Sequence, residues 1–318
     1  FFPGDAHFDP KEIPCDKELK SADALAVDLP EHNADFNTLA RGLARDLPRT
    51  PALPGERKAA ADWQQEQRKK LRQVLAARDY TATATRARST DKDGLAATFW
   101  KVRLGSQWTV PVVELVRGKP RATAILVDDA GRGADPANAR RLLAAGYRVL
   151  AVDLFYFGES KLQHKDFLFA LLLAAVGDRP LGLQAGQLAA VARWSLEKHK
   201  VPVTVVAVGP RMSLIALAAA ALEEKAIGGL ELHGAPGSLK EVIEQNRSVD
   251  QAPELFCFGL LEAFDVKQLL ALAAPRPVAV VEPSDRARKE LAGLDRWYTT
   301  LGRTFDPLRA PSGRNEGE

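Results

Sequence analysis

The sequence predicts an α/β fold built on a mainly parallel, doubly wound sheet, and three observations support that prediction. From Ala122 onward, short apolar β-type runs alternate with helical segments, the rhythm expected of parallel strands joined by crossover helices and covered on both faces. Before that point, β-rich runs are separated by Asp91-Lys92-Asp93-Gly94 and Gly105-Ser106, as in antiparallel hairpins. The run Val203–Val208 passes through Gly209 directly into an alanine-rich helical stretch. That strand–turn–helix unit is the most informative part of the chain.

Taken in order, residues 1–54 are rich in proline and charge and read as a wrapping or linker segment, with one short helix near Asp35–Asp46 and a proline cluster from Leu47 to Pro54. Residues 55–79 hold one long helix, Glu56–Ala77, with Ala59, Trp63, Leu71, Val74 and Leu75 near one face and its basic residues on a solvated one. The main domain spans 80–305. It opens with strands Thr81–Arg88, Ala96–Leu104 and Val110–Val116. Strands Ala122–Val127, Arg148–Val152, Val203–Val208, Ile227–Leu232 and Val278–Val281 then alternate with helices Pro136–Ala145, Leu183–Lys198, Met212–Glu224, Val266–Ala273 and Arg286–Leu301. Residues 306–318 read as a flexible tail.

Bulk properties narrow the function. The 318 residues carry 44 basic and 41 acidic side chains, a net charge of +3, with no basic stripe of the kind that nucleic acid attracts. No nucleic-acid partner is expected. Cys15 and Cys257 are the only cysteines, too few for a disulfide framework or a cysteine zinc site. They read as ordinary thiols, and neither a metal nor a cofactor is expected. The apolar stretch Phe167–Val176 is too short for the roughly 20 residues a membrane-spanning helix needs. The opening Phe1-Phe2-Pro3-Gly4 lacks an initiator methionine and a signal-peptide pattern, so residue 1 is not expected to begin the gene product.

Sites in doubly wound sheets form at the carboxyl ends of the strands, which directs attention to a few loops. At the turn Gly209-Pro210-Arg211-Met212-Ser213, the nucleophile-elbow pattern Gly-x-Ser-x-Gly falls with Arg211 in the serine position and Ser213 in the second glycine position. Arginine has no lone pair to attack with, but Arg211 could pair with a carboxylate or help Gly209 and Met212 bind an anion at the helix terminus. Asp128-Asp129-Ala130-Gly131 occupies the oxyanion-loop position, with Ala130 and Gly131 as its backbone donors and no histidine before them. Asp153 to Ser160 is a second glycine-containing loop, where Ser160 reads as a turn or cap residue. Asp285 follows the strand Val278–Val281, where a catalytic acid or a helix N-cap would stand. His233 follows Ile227–Leu232; His7, His32, His164 and His199 lie elsewhere, and no histidine follows His233.

These residues resemble the α/β-hydrolase superfamily, in particular the acetylxylan esterase-like and prolyl-oligopeptidase-like domains of large bacterial secreted proteins. The resemblance is carried by Glu12-Ile13-Pro14, the Trp63–Leu75 helix, Gly177-Asp178-Arg179-Pro180-Leu181-Gly182, Phe264-Asp265-Val266 and Ala274-Pro275-Arg276-Pro277. The opening from Phe1 to Phe8 resembles the tail of a preceding esterase domain. What the resemblance implies is carbohydrate-esterase ancestry, ester or carbohydrate ligands, a secreted or periplasmic setting, and an adjacent esterase domain as partner. Because Arg211 replaces the serine and no C-terminal histidine follows Asp285, the leading expectation is a catalytically degenerate domain serving as an accessory, binding or structural module. The competing expectation is an active serine carboxylesterase, with Ser213 on a displaced elbow, Asp285 as acid, and His233 or a partner's residue as base. A third is an interaction protein whose Glu56–Ala77 helix docks a partner.

Overall fold

The computed structural model describes residues 11–162 and 166–309. His7, His164, the Phe1–Phe8 stretch and residues 310–318 lie outside them. Eight strands, β1 (Ala82–Lys92), β2 (Leu95–Leu104), β3 (Trp108–Arg117), β4 (Ala122–Asp128), β5 (Tyr147–Val152), β6 (Val203–Val208), β7 (Ile227–His233) and β8 (Val278–Val281), form one sheet in the order β1-β2-β3-β5-β4-β6-β7-β8. β1, β2, β3 and β5 pair antiparallel in succession, and β5-β4-β6-β7-β8 are parallel. Both halves of the expected sheet are thus present.

The helices are α1 (Ala22–Leu25), α2 (Phe36–Ala44), α3 (Arg57–Val74), α4 (Pro136–Ala144), α5 (Asp166–Ala175), α6 (Pro180–His199), α7 (Pro210–Leu222), α8 (Lys240–Glu244), α9 (Leu260–Ala263), α10 (Val266–Ala273), α11 (Asp285–Glu290) and α12 (Leu294–Thr300). The larger core layer lies on the side of α6 and α7, and a smaller one, around Leu126, Leu142, Val149 and Val206, lies beneath α4. Alanines 216 and 218–221 of α7 are buried, and their small side chains let the helix pack closely against β6, β7, α6 and α10. α6 and α7 begin at prolines, two or three residues before the sequence-expected starts. Proline at the first helical position gives up an N–H that would have no intrahelical partner.

Three expectations are corrected. The predicted helix Arg286–Leu301 is two helices: the first ends at Glu290, and Gly293, at φ +85°, a left-handed conformation that suits glycine, precedes the second as its N-cap. Residues 306–309 are not a loose tail: Pro307 is buried and its carbonyl accepts a hydrogen bond of 2.9 Å from Val280 N–H, supplying β8 with a backbone partner. The basic residues of α3 do not all face solvent. Arg68 donates from Nε to the Ala221 carbonyl at 3.1 Å and from Nη2 to the Leu272 carbonyl at 2.9 Å, near the ends of α7 and α10.

Pro275-Arg276-Pro277 has a related explanation. Helix C-termini leave carbonyls without intrahelical donors, and Arg276 gathers several of them: Ala220, Glu223 and Ala273, together with Ile227 at the start of β7. Tyr298 holds the Arg276 carbonyl from the other side at 2.7 Å. Gln64 and Trp297 add bonds to the Ala271 carbonyl, and Trp63 meets Trp297 edge-on with centroids 5.4 Å apart. Arg276→Met, which keeps volume but removes every donor, should lower stability by about 2–4 kcal/mol in urea unfolding at neutral pH. A loss under about 0.5 kcal/mol would show that these carbonyls need no partner.

Candidate functional site

The elbow forms where β6 ends and α7 begins. Gly209 sits at φ +97°, ψ 160°, outside the range comfortable for an L side chain. Its N–H donates to the His233 carbonyl at 2.9 Å, tying the turn to β7. Pro210 opens the helix, so the N–H groups of Arg211 and Met212 point out of its terminus without intrahelical acceptors. A carboxylate from the chain itself takes them. Asp129, from the loop after β4, accepts from Met212 N–H through Oδ1 at 2.7 Å and from Arg211 N–H through Oδ2 at 3.2 Å. A Cβ at position 209 would overlap this carboxylate; glycine is required there by backbone conformation and by close approach together.

Burial sets the acidity of Asp129. Desolvation pushes its pKa up to about 6, against the lowering pull of the Met212 and Arg211 N–H groups and the Arg211 guanidinium, with Glu254 adding to the rise. The carboxylate is thus held where its charge is costly, and the helix terminus offsets only part of that cost.

Arg211 does not reach for solvent. Its guanidinium forms a two-pronged pair with Glu254, Nη2 to Oε2 at 3.0 Å and Nε to Oε1, and lies 4.3 Å above the Phe157 ring centroid. Glu254 is completely buried, in the turn Pro253–Leu255. Arg211 thus pairs with the Glu254 carboxylate, and the carboxylate on the helix terminus is that of Asp129.

The remaining sequence-selected residues do not converge. Ser213 is fully buried within α7, and its hydroxyl donates to the His233 backbone carbonyl at 3.4 Å. No displaced elbow exposes it, because the helix starts at Pro210 and places Ser213 one turn inside. The His233 imidazole instead meets Glu231 Oε1 at 2.6 Å, and Glu231 also pairs with Arg141 of α4, so this ring is directed to the α4 layer, away from α7. Among the described residues no imidazole hydrogen-bonds Ser213. Asp285 is exposed in the first turn of α11, whose N-cap is Ser284. Ala130 N–H is taken by Asp128 Oδ1 at 2.7 Å, and Gly131 N–H by the Asp128 carbonyl at 2.9 Å. Ser160 donates to the Asp153 carbonyl at 3.3 Å, in keeping with a turn role. Asp153 itself is buried and holds the β4 and β5 loops together, accepting from the N–H groups of Arg132 and Glu159 at 2.7 and 3.0 Å. A cavity of about 230 Å³ at the carboxyl ends of β6, β7 and β8 is lined by Pro210, Ala235, Leu239, Arg247, Val281 and Glu282, among others.

Sequence reasoning missed Glu254, Phe157 and Glu231, and read Asp129 as part of a turn. Glu254 had no local signal, since Ala252-Pro253-Glu254-Leu255 reads as an ordinary loop 43 positions from Arg211. Asp129 had one. Two adjacent carboxylates at a strand end, beside an elbow of free N–H groups, invite the pairing that the structure contains.

A mainly parallel eight-stranded sheet with an antiparallel entry, helices on both faces, and a strand, sharp turn and helix at β6–α7 make up the α/β-hydrolase fold, and the chain adopts it. Among solved structures it is similar to a candidate acetyl xylan esterase of Bacteroides fragilis, with a TM-score of 0.68, 14% sequence identity, and coverage of 86% of this chain and 82% of that one. It is also similar to a promiscuous CE15 esterase from a marine bacterial metagenome, with a TM-score of 0.54, 13% identity, and coverage of 82% and 87%. Acetyl xylan esterase 1 of a Thermoanaerobacterium species gives a TM-score of 0.50 at 13% identity, over 88% and 91% of the two chains. At these identities the likeness is one of fold. No protein-family model matches the chain, and no curated protein sequence does.

The elevated pKa of Asp129 has a direction that can be measured. Between about pH 4 and 6 the folded chain holds a proton that the unfolded chain has released, so this residue makes stability fall as pH rises through that window, by up to about 3 kcal/mol. Denaturant unfolding of the wild type and Asp129→Asn should therefore differ in slope across pH 4–6, the wild type losing more stability with rising pH. Parallel curves would contradict the assignment.

Proposed function

We propose that this chain is a catalytically degenerate α/β-hydrolase domain of carbohydrate-esterase descent, working as an accessory or binding module beside an active esterase domain. One observation carries the reading: the Met212 and Arg211 N–H groups at the elbow already bind the Asp129 carboxylate. An acyl-transfer enzyme of this fold directs the N–H after its nucleophile at the oxyanion of the reaction. An internal carboxylate on that N–H both blocks the position and repels developing negative charge. Arg211 in the nucleophile position, locked to Glu254, supports the same reading, as do the burial of Ser213 and the pairing of His233 with Glu231. Loss of triad members alone typically costs on the order of 10⁴ to 10⁶ in rate.

Esterase descent draws its support from the similar folds, which include acetyl xylan esterases. A serine esterase acting through Ser213 and Asp285 is the second reading; the open cavity beside Pro210 and Glu282 favours it, but it needs Ser213 to leave the helix interior. The two readings part on a simple assay. The purified chain should hydrolyse p-nitrophenyl acetate no faster than background, take no label from a fluorophosphonate, and behave identically as Ser213→Ala and Ser160→Ala. Stoichiometric labelling that Ser213→Ala abolishes would establish the esterase instead.

A further inference from the structure

Away from the elbow, a cavity of about 420 Å³ opens between α2 and α8, with Arg286 of α11 also lining it. Four of its lining residues are cations, Arg41, Arg45, Lys240 and Arg286, and one, Glu244, is a carboxylate. The chain as a whole carries a net charge of only +3, so this is a local concentration of positive charge. Asn37 ties the two helices together here, its Nδ2 donating to the Ile243 carbonyl at 2.7 Å.

Hydrogen bonds anchor the cationic heads at this place. Arg41 donates from Nη2 to the Glu244 carbonyl at 3.3 Å, and Lys240 donates from Nζ to the Arg45 carbonyl at 3.0 Å. Each thus meets a carbonyl at the end of a short helix and keeps N–H donors beyond the one it spends. The charges themselves are not matched. Arg286 is held by Glu244 at 3.0 Å and by Glu290 at 3.2 Å, which commits the one carboxylate of the lining. Among the described residues no carboxylate pairs with Arg41, Arg45 or Lys240, the adjacent Asp46 included. Arg41 and Arg45 also stand one helical turn apart at the end of α2, where like charges repel. Backbone carbonyls, with only partial charges, offset little of that repulsion; a bound anion would offset it directly.

We propose that this cavity binds a small phosphorylated molecule, its phosphate oxygens accepting from Arg41, Arg45 and Lys240. A phosphate group brings about −1.5 to −2 charge at pH 7 and three strong acceptor oxygens, which suits three cations gathered around one cavity. Guanidinium groups present paired N–H donors to such oxygens. The volume falls in the range of ligand sites, about 300–1,000 Å³. Of the lining residues only Ala44 and Ile243 are apolar, so the cavity offers little to an apolar body. A nucleic acid fits less well, because the cations are clustered and form no extended track. An acidic peptide, with single charges spread along its length, also matches the cluster less closely.

This inference goes beyond the reading of the elbow and does not depend on it. Calorimetry on the full chain at neutral pH and low salt, with pyrophosphate, hexaglutamate and hexathymidylate as probes, should give saturable binding of pyrophosphate, about tenfold or more tighter than that of either oligomer. Arg41→Glu and Arg45→Glu, both at exposed positions, should each weaken pyrophosphate binding about tenfold or more while the thermal unfolding midpoint is retained. Arg45→Gln, which removes the charge without reversing it, should show a smaller loss in the same direction. Lys119→Glu, the same charge change at an exposed turn outside the cavity, should leave the affinity intact. No saturable pyrophosphate binding, unchanged affinity in the Arg41 and Arg45 variants, or tighter binding of either oligomer would each overturn the assignment.

Discussion

The contact between the Asp129 carboxylate and the first N–H groups of α7 is the constraint around which the centre of this molecule is arranged. It joins the loop after β4 to the turn after β6, the two neighbouring parallel strands at the middle of the sheet. It also explains why Gly209 must be glycine, because any side chain there would collide with the carboxylate. The same N–H groups that make a helix terminus hospitable to anions in general are here satisfied from within. Asp129 and Glu254, both near Arg211, leave that guanidinium pairing inward, stacked on Phe157.

The site's electrostatics follow from that arrangement. A buried carboxylate, a buried ion pair and a helix terminus lie within one small volume, and the terminus offsets only part of the cost of the Asp129 charge. In such a setting the interactions are strong because water is excluded, and an unmatched group would be costly. The arrangement favours a rigid, satisfied turn.

Much of the architecture was legible in sequence because it rests on local periodicity and punctuation. β6 and β8 match their expected limits, since β-branched apolar runs bounded by glycine or proline admit few other readings. The apolar α5 was not foreseen as a helix, because a run that is apolar on every side has no periodicity to read. The break between α11 and α12 closes on one left-handed glycine. At the site, Gly209 and Arg211 stood out from motif spacing alone. The partners did not: Glu254 lies 43 residues from Arg211 and Asp129 lies 83 from Met212, and no short-range rule links them. Ser213, His233 and Asp285 were selected by loop position, but position along a strand end does not fix which way a side chain points. His233 shows this, its carbonyl serving the elbow while its ring serves Glu231.

The central claim, that Asp129 occupies the N–H groups an oxyanion would need, is tested most directly by following the Met212 and Arg211 backbone amides in nitrogen–proton NMR spectra as pH is varied. The account predicts that both amide resonances titrate together with a midpoint of about 6 and that Asp129→Asn flattens both curves. Amide shifts that stay constant from pH 4 to 8 in the wild type would mean that the carboxylate is elsewhere and the elbow is open.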